Sequence, residues 1–318
     1  MRFRLPVSRQ SRYWYVVLAL ALVLPALPLP SFILRLATLI FIYSSVISGF
    51  NLLVGYCGLV SVAQAGFFGI GAYTAALMSI HLHTSFLVGL VAGTLVTGTI
   101  SALIGFAILR LKGRYLIMAT LGINEVINLV ILNTTFTGGP NGLPGISASS
   151  LYYLNLAGLV LVTVVVALLV NSPVGRSMVA VREDDLAAEA IGINVASTKL
   201  LAFTLTGAIA GLAGVFYAHN SLFVSYQSFT TSESFIMLAM LVIGGMGTLP
   251  GPFLGVALLL ALPEALRGAS LYRYLLYGLA LSVVAPLWPG GLASIHLRQK
   301  GAATAGKRTV DRQGGKAA

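Results

Sequence analysis

Two groups of residues in this chain have side chains and spacing that could do chemistry. The first is a polar stripe, Thr120, Asn124 and Asn128, recurring every fourth residue beside the carboxylate of Glu125. At 3.6 residues per turn the three share one helix face and Glu125 borders it. The second is VGRSMVAVREDDLAAEAIGINV, residues 174–195, which carries the densest charge in the sequence. Neither group is a catalytic constellation. No Ser, His and Asp set and no paired catalytic carboxylates can be assembled, so an enzyme has little support. Residues 301–307 nearly spell a phosphate-binding loop, but Arg308 stands where Ser or Thr would hold magnesium, and no strand precedes it. His81 and His83 are two apart, a poor spacing for a helical metal pair, and the lone Cys57 can form neither a disulfide nor a CxxC pair. The chain is expected to bind no metal or cofactor of its own.

The elements that position these residues are apolar. The 318 residues are 58% hydrophobic and 8% charged, too little charge to cover a soluble domain of this length. A hydrocarbon core about 30 Å thick needs about 20 apolar residues per helix. Apolar runs place candidate spans near 13–31, 33–54, 59–80, 86–109 and 115–135, then 151–171, 199–218, 234–248, 252–266 and 274–290. The expected fold is therefore all-α, a polytopic membrane helical bundle of about ten spans. The run at 13–29 resembles a signal peptide, but it is long and lacks a clean cleavage site, so it reads as a retained anchor. The net charge of +11 does not point to nucleic acid, because the basic residues lie between apolar runs. With the amino terminus in the cytoplasm, only Arg35, Arg267 and Arg273 of the 19 Lys and Arg residues fall outside, as the positive-inside rule demands. The organisation is a basic cytoplasmic terminus (1–12), a membrane domain (13–290) with a cytosolic loop at 172–198, and a disordered basic cytoplasmic tail (291–318) that could rest on anionic lipid.

Within that frame the charged run must lie in water. Asp184 and Asp185 suit the positive end of a helix, Leu186, Ala190 and Ile191 form a small apolar face, and Gly192 can supply the left-handed residue that ends it. The reading is a short cytosolic amphipathic helix; an ordinary solvated loop has the same composition. Glu125 lies about 16 Å beyond Arg114 at about 1.5 Å per residue. A carboxylate at that depth costs about 2.5 kcal/mol or more, so it must face protein or a wet cavity. Thr120, Asn124, Glu125 and Asn128 could line a path for a zwitterion's ammonium, with Asn51 and Gln64 facing the same space. Interhelical hydrogen bonding is the competing reading. Gly89 and Gly93, Gly207 and Gly211, and Gly247, Gly251 and Gly255 recur every fourth residue and allow close helix approach. Gly247 and Gly251 also flank Pro250, a candidate helix break beside a solute path. Gly and Pro interrupt 59–80 and 234–266, where segments could re-enter rather than cross.

The charged run also resembles the cytoplasmic loop of bacterial branched-chain amino acid ABC transporter permeases, whose Glu-Ala-x-Gly core stands here as Glu189, Ala190, Ile191 and Gly192. Four more stretches carry the resemblance: GLVSVAQAGFFGIGAY (58–73, with Gly66, Gly69 and Gly71), TLGINEV (120–126), TGGPNGL (137–143) and GGMGTLPGPFLGV (244–256, with Gly245, Gly247, Pro250, Gly251 and Gly255). Ala63 stands where the family usually has glycine. The resemblance implies an inner-membrane permease whose loop docks on an ATPase through Arg182, Glu183, Asp184, Glu189, Ala190 and Gly192. It implies as partners a second homologous permease subunit, two cytosolic ABC ATPase subunits that use ATP and Mg, and a periplasmic solute-binding protein. The solute would be Leu, Ile, Val or a related amino acid, although similar permeases serve urea and short amides. The rival is a secondary ion-coupled transporter, against which the charged loop and the single deep carboxylate both count.

Overall fold

The computed structural model describes residues 31–111, 113–146 and 152–265. Residues 1–30 and 266–318 lie outside it, and with them the basic amino terminus, nearly all of the expected span at 13–31, the span at 274–290 and the tail at 291–318. Lys112, Arg267 and Arg273 of the charge asymmetry lie outside as well.

In lipid, backbone polar groups find partners only within the chain, and apolar runs accordingly become long helices. In chain order these are α1 (Ser31–Asn51), α2 (Gln64–His81), α3 (Phe86–Ile108), α4 (Arg114–Asn133), α5 (Tyr152–Asn171), α6 (Pro173–Glu183), α7 (Asp185–Ala190), α8 (Val195–Ser221), α9 (Thr231–Gly244) and α10 (Gly251–Ala265). A π-helical turn, Leu52–Tyr56, extends α1. Five stretches are long and apolar enough to cross a membrane: Phe32–Tyr56, Phe86–Ile108, Arg114–Asn133, Tyr152–Asn171 and Val195–Ser221. Each matches an expected span to within a few residues. A two-residue antiparallel pairing, β1 (Leu143–Pro144) with β2 (Phe223–Val224), joins the connections that follow α4 and α8.

The centre of the bundle is the packing of α2, α3 and α8. The buried face of α3 is made of Gly89, Gly93, Thr97, Gly98, Ser101 and Gly105. A Cβ on Gly71 of α2 would overlap the backbone of Gly211 in α8, and one on Gly93 would lie 2.5 Å from Val215 Cγ2. Helices surrounded by lipid gain contact by such close approach, since lipid tails are as apolar as leucine. Gly66 leaves room for Asn124 and Ile127, Gly69 for the ring of Phe229, and Gly255 for the carbonyl of Met240. Gly89 differs from this pattern: a Cβ there would meet nothing nearer than 3.8 Å.

The interrupted regions depart from the expected spans. Where a helix over 59–80 was expected, α2 starts only at Gln64 and residues 57–63 run irregularly before it. That start is tolerated because side chains of other helices take up its backbone N–H groups, as described below. The expected span 234–248 stops at Gly244, because Gly245 and Gly247 adopt φ of 120° and 72°, which L-residues disfavour. Gly247 therefore sits in the turn between α9 and α10, not on a helix face with Gly251 and Gly255. The 14 residues of α9 extend about 21 Å, short of a core about 30 Å thick. A 3-10 turn, Tyr226–Phe229, precedes α9, and Phe229 packs fully buried against Phe68, Tyr73 and Tyr217. Non-helical backbone is tolerated in a membrane protein only where protein covers it like this.

Candidate functional site

The charged segment folds as two helices: the short helix expected between Asp184 and Gly192 is α7, and a second, α6, precedes it. Ser172 caps α6 by accepting from Gly175 N (3.3 Å), with Pro173 in the first turn. Asp184 then leaves the helical conformation, and its Oδ1 accepts from Leu186 N (2.8 Å) and Ala187 N (3.1 Å), which restarts the chain as α7. An aspartate cap of this kind satisfies N–H groups that a helix end leaves unpaired. Gly192, at φ 85°, closes α7, and Asn194 caps α8 through Ser197 N (2.9 Å).

This segment is only partly exposed. Met178 and Val181 of α6 and Ala188 of α7 are buried against the bundle, so the inward face differs from the one expected. Leu186 and Ile191 are each 74% exposed, and Glu189, Ala190 and Gly192 are exposed between them. The expected apolar face thus points away from the protein. Lys199 at the base of α8 pairs with Asp185 (2.5 Å), anchoring α7. Arg182 pairs with the exposed Glu183 (2.7 Å) and donates through Nη1 to the carbonyl of Gly55 (2.7 Å). A cavity of about 310 Å³ opens beside Arg182, Glu183, Asp184, Asp185, Lys199 and Cys57. Burial pushes the Cys57 thiol up to about 11; Lys199 pulls it down and Asp185 pushes it up.

The polar stripe of α4 sits at the start of α2. Val62 N donates to Thr120 Oγ1 (3.0 Å) and Gly66 N to Asn124 Oδ1 (2.7 Å), while Ala65 N donates to Ser234 Oγ of α9 (2.9 Å). Three side chains from two other helices thus serve the amino-terminal end of a helix inside the bundle. Asn124 Nδ2 donates to Thr231 Oγ1 (3.1 Å), and Thr231 donates in turn to Glu125 Oε1. The starts of α2 and α9 and the carboxylate of Glu125 form one hydrogen-bonded relay centred on Asn124.

The predicted path residues therefore separate. Thr120 and Asn124 are buried and committed to backbone N–H groups. Glu125 is exposed on the outer face of α4. Asn128, half-buried, and Gln64, buried, carry Oδ1 and Nε2 atoms without a hydrogen-bond partner among the described residues. Asn51 does not join this group. It is buried, accepting from Gly247 N (2.8 Å) and donating to Thr248 O (2.8 Å), which pins the turn between α9 and α10. Sequence reasoning missed Thr231 and Ser234. Their signal was the polar run TTSES (230–234) at the head of an apolar helix.

A family model described as branched-chain amino acid transport system, permease component, matches residues 32–285. The high-affinity branched-chain amino acid transport system permease protein LivM of Salmonella typhimurium is 34% identical, over 92% of this chain and 78% of the relative. LivM of Escherichia coli K12 is 33% identical, over 96% of this chain and 82% of the relative. The autoinducer 2 import system permease protein LsrC of Yersinia pseudotuberculosis is 27% identical, over 72% of this chain and 64% of the relative. No solved structure matches the chain.

Proposed function

Because the chain belongs to the permease component family of branched-chain amino acid transport systems, we propose that it is the membrane-spanning subunit of an ABC importer for Leu, Ile, Val or a related amino acid. A soluble periplasmic receptor delivers the solute, and a second homologous permease encloses the path together with this chain. Two cytosolic ATPases use ATP and Mg to open and close it. Both termini then lie in the cytoplasm of a bacterium, and the bundle lies in its inner membrane.

The observation that carries this reading is α7. Two large apolar side chains, Leu186 and Ile191, stand in water around Glu189 on a helix held at its start by Asp184 and at its base by the Lys199 pair. A rigid, capped knob with an apolar tip supports docking to a soluble partner, because a merely solvated connection gains nothing from exposing such side chains. Glu183, Ala190 and Gly192 fall within the same contact, and Asp184 sets its orientation; Arg182 points the other way, to the Gly55 carbonyl.

On the membrane side, Glu125 is the carboxylate for the solute's ammonium, with Asn128 a turn further along α4. Thr120, Asn124 and Asn51 hold the backbone around that path rather than line it, which supports the interhelical hydrogen-bonding reading for those three.

The test is purification of the tagged chain from its native membranes. An ATPase and a second permease are expected to accompany it. Glu189→Lys is expected to release the ATPase and cut leucine uptake at least tenfold while the permease stays abundant. Full uptake with the ATPase still bound would remove the docking assignment.

A further inference from the structure

Resting on the importer reading above, we propose that Arg182 is the positioning residue through which the cytosolic segment sets the break between α9 and α10, with Asn51 as its relay. Arg182 and Gly55 are 127 residues apart, and Asn51 and Gly247 are 196 apart. Both contacts nevertheless converge on one short stretch, the π-helical turn Leu52–Tyr56, which holds Gly55, and Asn51, which immediately precedes it.

The berth of Arg182 is built from glycines. A Cβ on Gly58 would lie 2.7 Å from Arg182 Cγ, so the aliphatic stem runs over bare backbone there. A Cβ on Gly247 would lie 3.5 Å from Nη1 and 3.2 Å from Gly55 O. One on Gly55 would overlap Asn51 Oδ1 and Gly247 N. Guanidinium, π-turn carbonyl, Asn51 amide and the α9–α10 turn are therefore in direct succession with no side chain between them.

Such a succession transmits displacement because its members are polar groups with few alternatives. Arg182 stays charged at any physiological pH and donates in a fixed fork. The Gly55 carbonyl belongs to a π-turn, a form that occurs mostly as single turns and is frequent at functional sites. Asn51 uses both amide atoms on residues 247 and 248, so a shift of the π-turn moves that turn with it. The cavity beside Arg182 leaves α6 and α7 room to move. At the other end of α9, Thr231 and Ser234 join the relay that ends at Glu125. A push on α7 thus reaches the carboxylate of the path along one helix.

The experiment uses the assembled complex in proteoliposomes, with loaded receptor, ATP and radiolabelled leucine, and reads uptake per ATP hydrolysed. Arg182→Ala is expected to keep receptor-stimulated hydrolysis within about twofold and lower uptake per ATP at least tenfold; Asn51→Ala is expected to lower the ratio about threefold. A residue that only held the fold would lower both rates together and leave the ratio unchanged. An unchanged ratio in both variants overturns the proposal, and so does loss of hydrolysis itself, which would place Arg182 in the docking contact. Should Arg182→Ala fail to assemble, Arg182→Lys keeps a cation but not the fork, and an unchanged ratio there overturns the proposal equally. An unmodified complex whose uptake ignores ATP would overturn the importer reading and this inference with it.

Discussion

Helices α3 and α4 look interchangeable from outside: both are apolar, and both leave an outer row uncovered, Leu87, Leu95, Leu103 and Phe106 on one, Tyr115, Met118, Val126 and Val130 on the other. Their inner faces hold them in different ways. The hydroxyls of α3 turn back mainly on carbonyls of their own helix, Thr97 to Gly93 (2.7 Å) and Ser101 to Gly98 (2.9 Å), with only a long bond from Ser101 to Thr204 O of α8 (3.4 Å), and its glycines let α8 touch the backbone. By contrast, α4 directs Thr120 and Asn124 at the N–H groups of another helix's start, and it alone of the two carries a carboxylate on the outer face. Backbone contact of the first kind admits one arrangement. Hydrogen bonds at a helix end can be exchanged for others, and a carboxylate excludes lipid as the cover. On the proposed importer reading, α3 belongs to a fixed scaffold facing lipid, and the face of α4 that carries Glu125 belongs to a partner contact or a wet path.

Three substitutions probe this contrast. The largest effect is expected from Gly71→Leu, which drives a branched side chain into the backbone of Gly211; at more than about 3 kcal/mol no intact complex should be recovered from membranes. Recovery of a normal complex would show that the glycine seam can yield. Asn124→Ala removes the acceptor for Gly66 N and the donor to Thr231, a loss of about 2–3 kcal/mol, measurable as a lower unfolding temperature in detergent. The smallest effect on abundance is expected from Glu125→Gln, which still accepts from Thr231 and stays within about 0.5 kcal/mol. Leucine uptake should nevertheless fall at least fivefold. Normal uptake in that variant would mean that the outer face of α4 is not the path.

The same contrast explains what could be read from the sequence. The spans that became α1, α3, α4, α5 and α8 were evident because burial in lipid imposes a long apolar run that no turn interrupts. The caps at Asp184 and Gly192 were evident too, since a cap is decided by neighbours within three residues. The late start of α2 was hidden, because Leu59, Val60 and Val62 are as apolar as the helix that follows, and only the distant Thr120, Asn124 and Ser234 let the backbone stay irregular there. Asn51 was misplaced for a related reason: an amide inside an apolar run announces that it has a partner, not which one. The second helix break was visible as Gly247 and Gly251 flanking Pro250, but its hold on Gly55 and Arg182 depends on three-dimensional proximity that periodicity cannot express.

The glycine berth of Arg182 also limits how such permeases can be recombined. Grafting residues 172–194 onto a foreign bundle leaves the guanidinium without lodging wherever the host carries side chains at the positions of Gly55, Gly58 and Gly247. A chimera meant to answer a different motor has to exchange those three sites along with the loop.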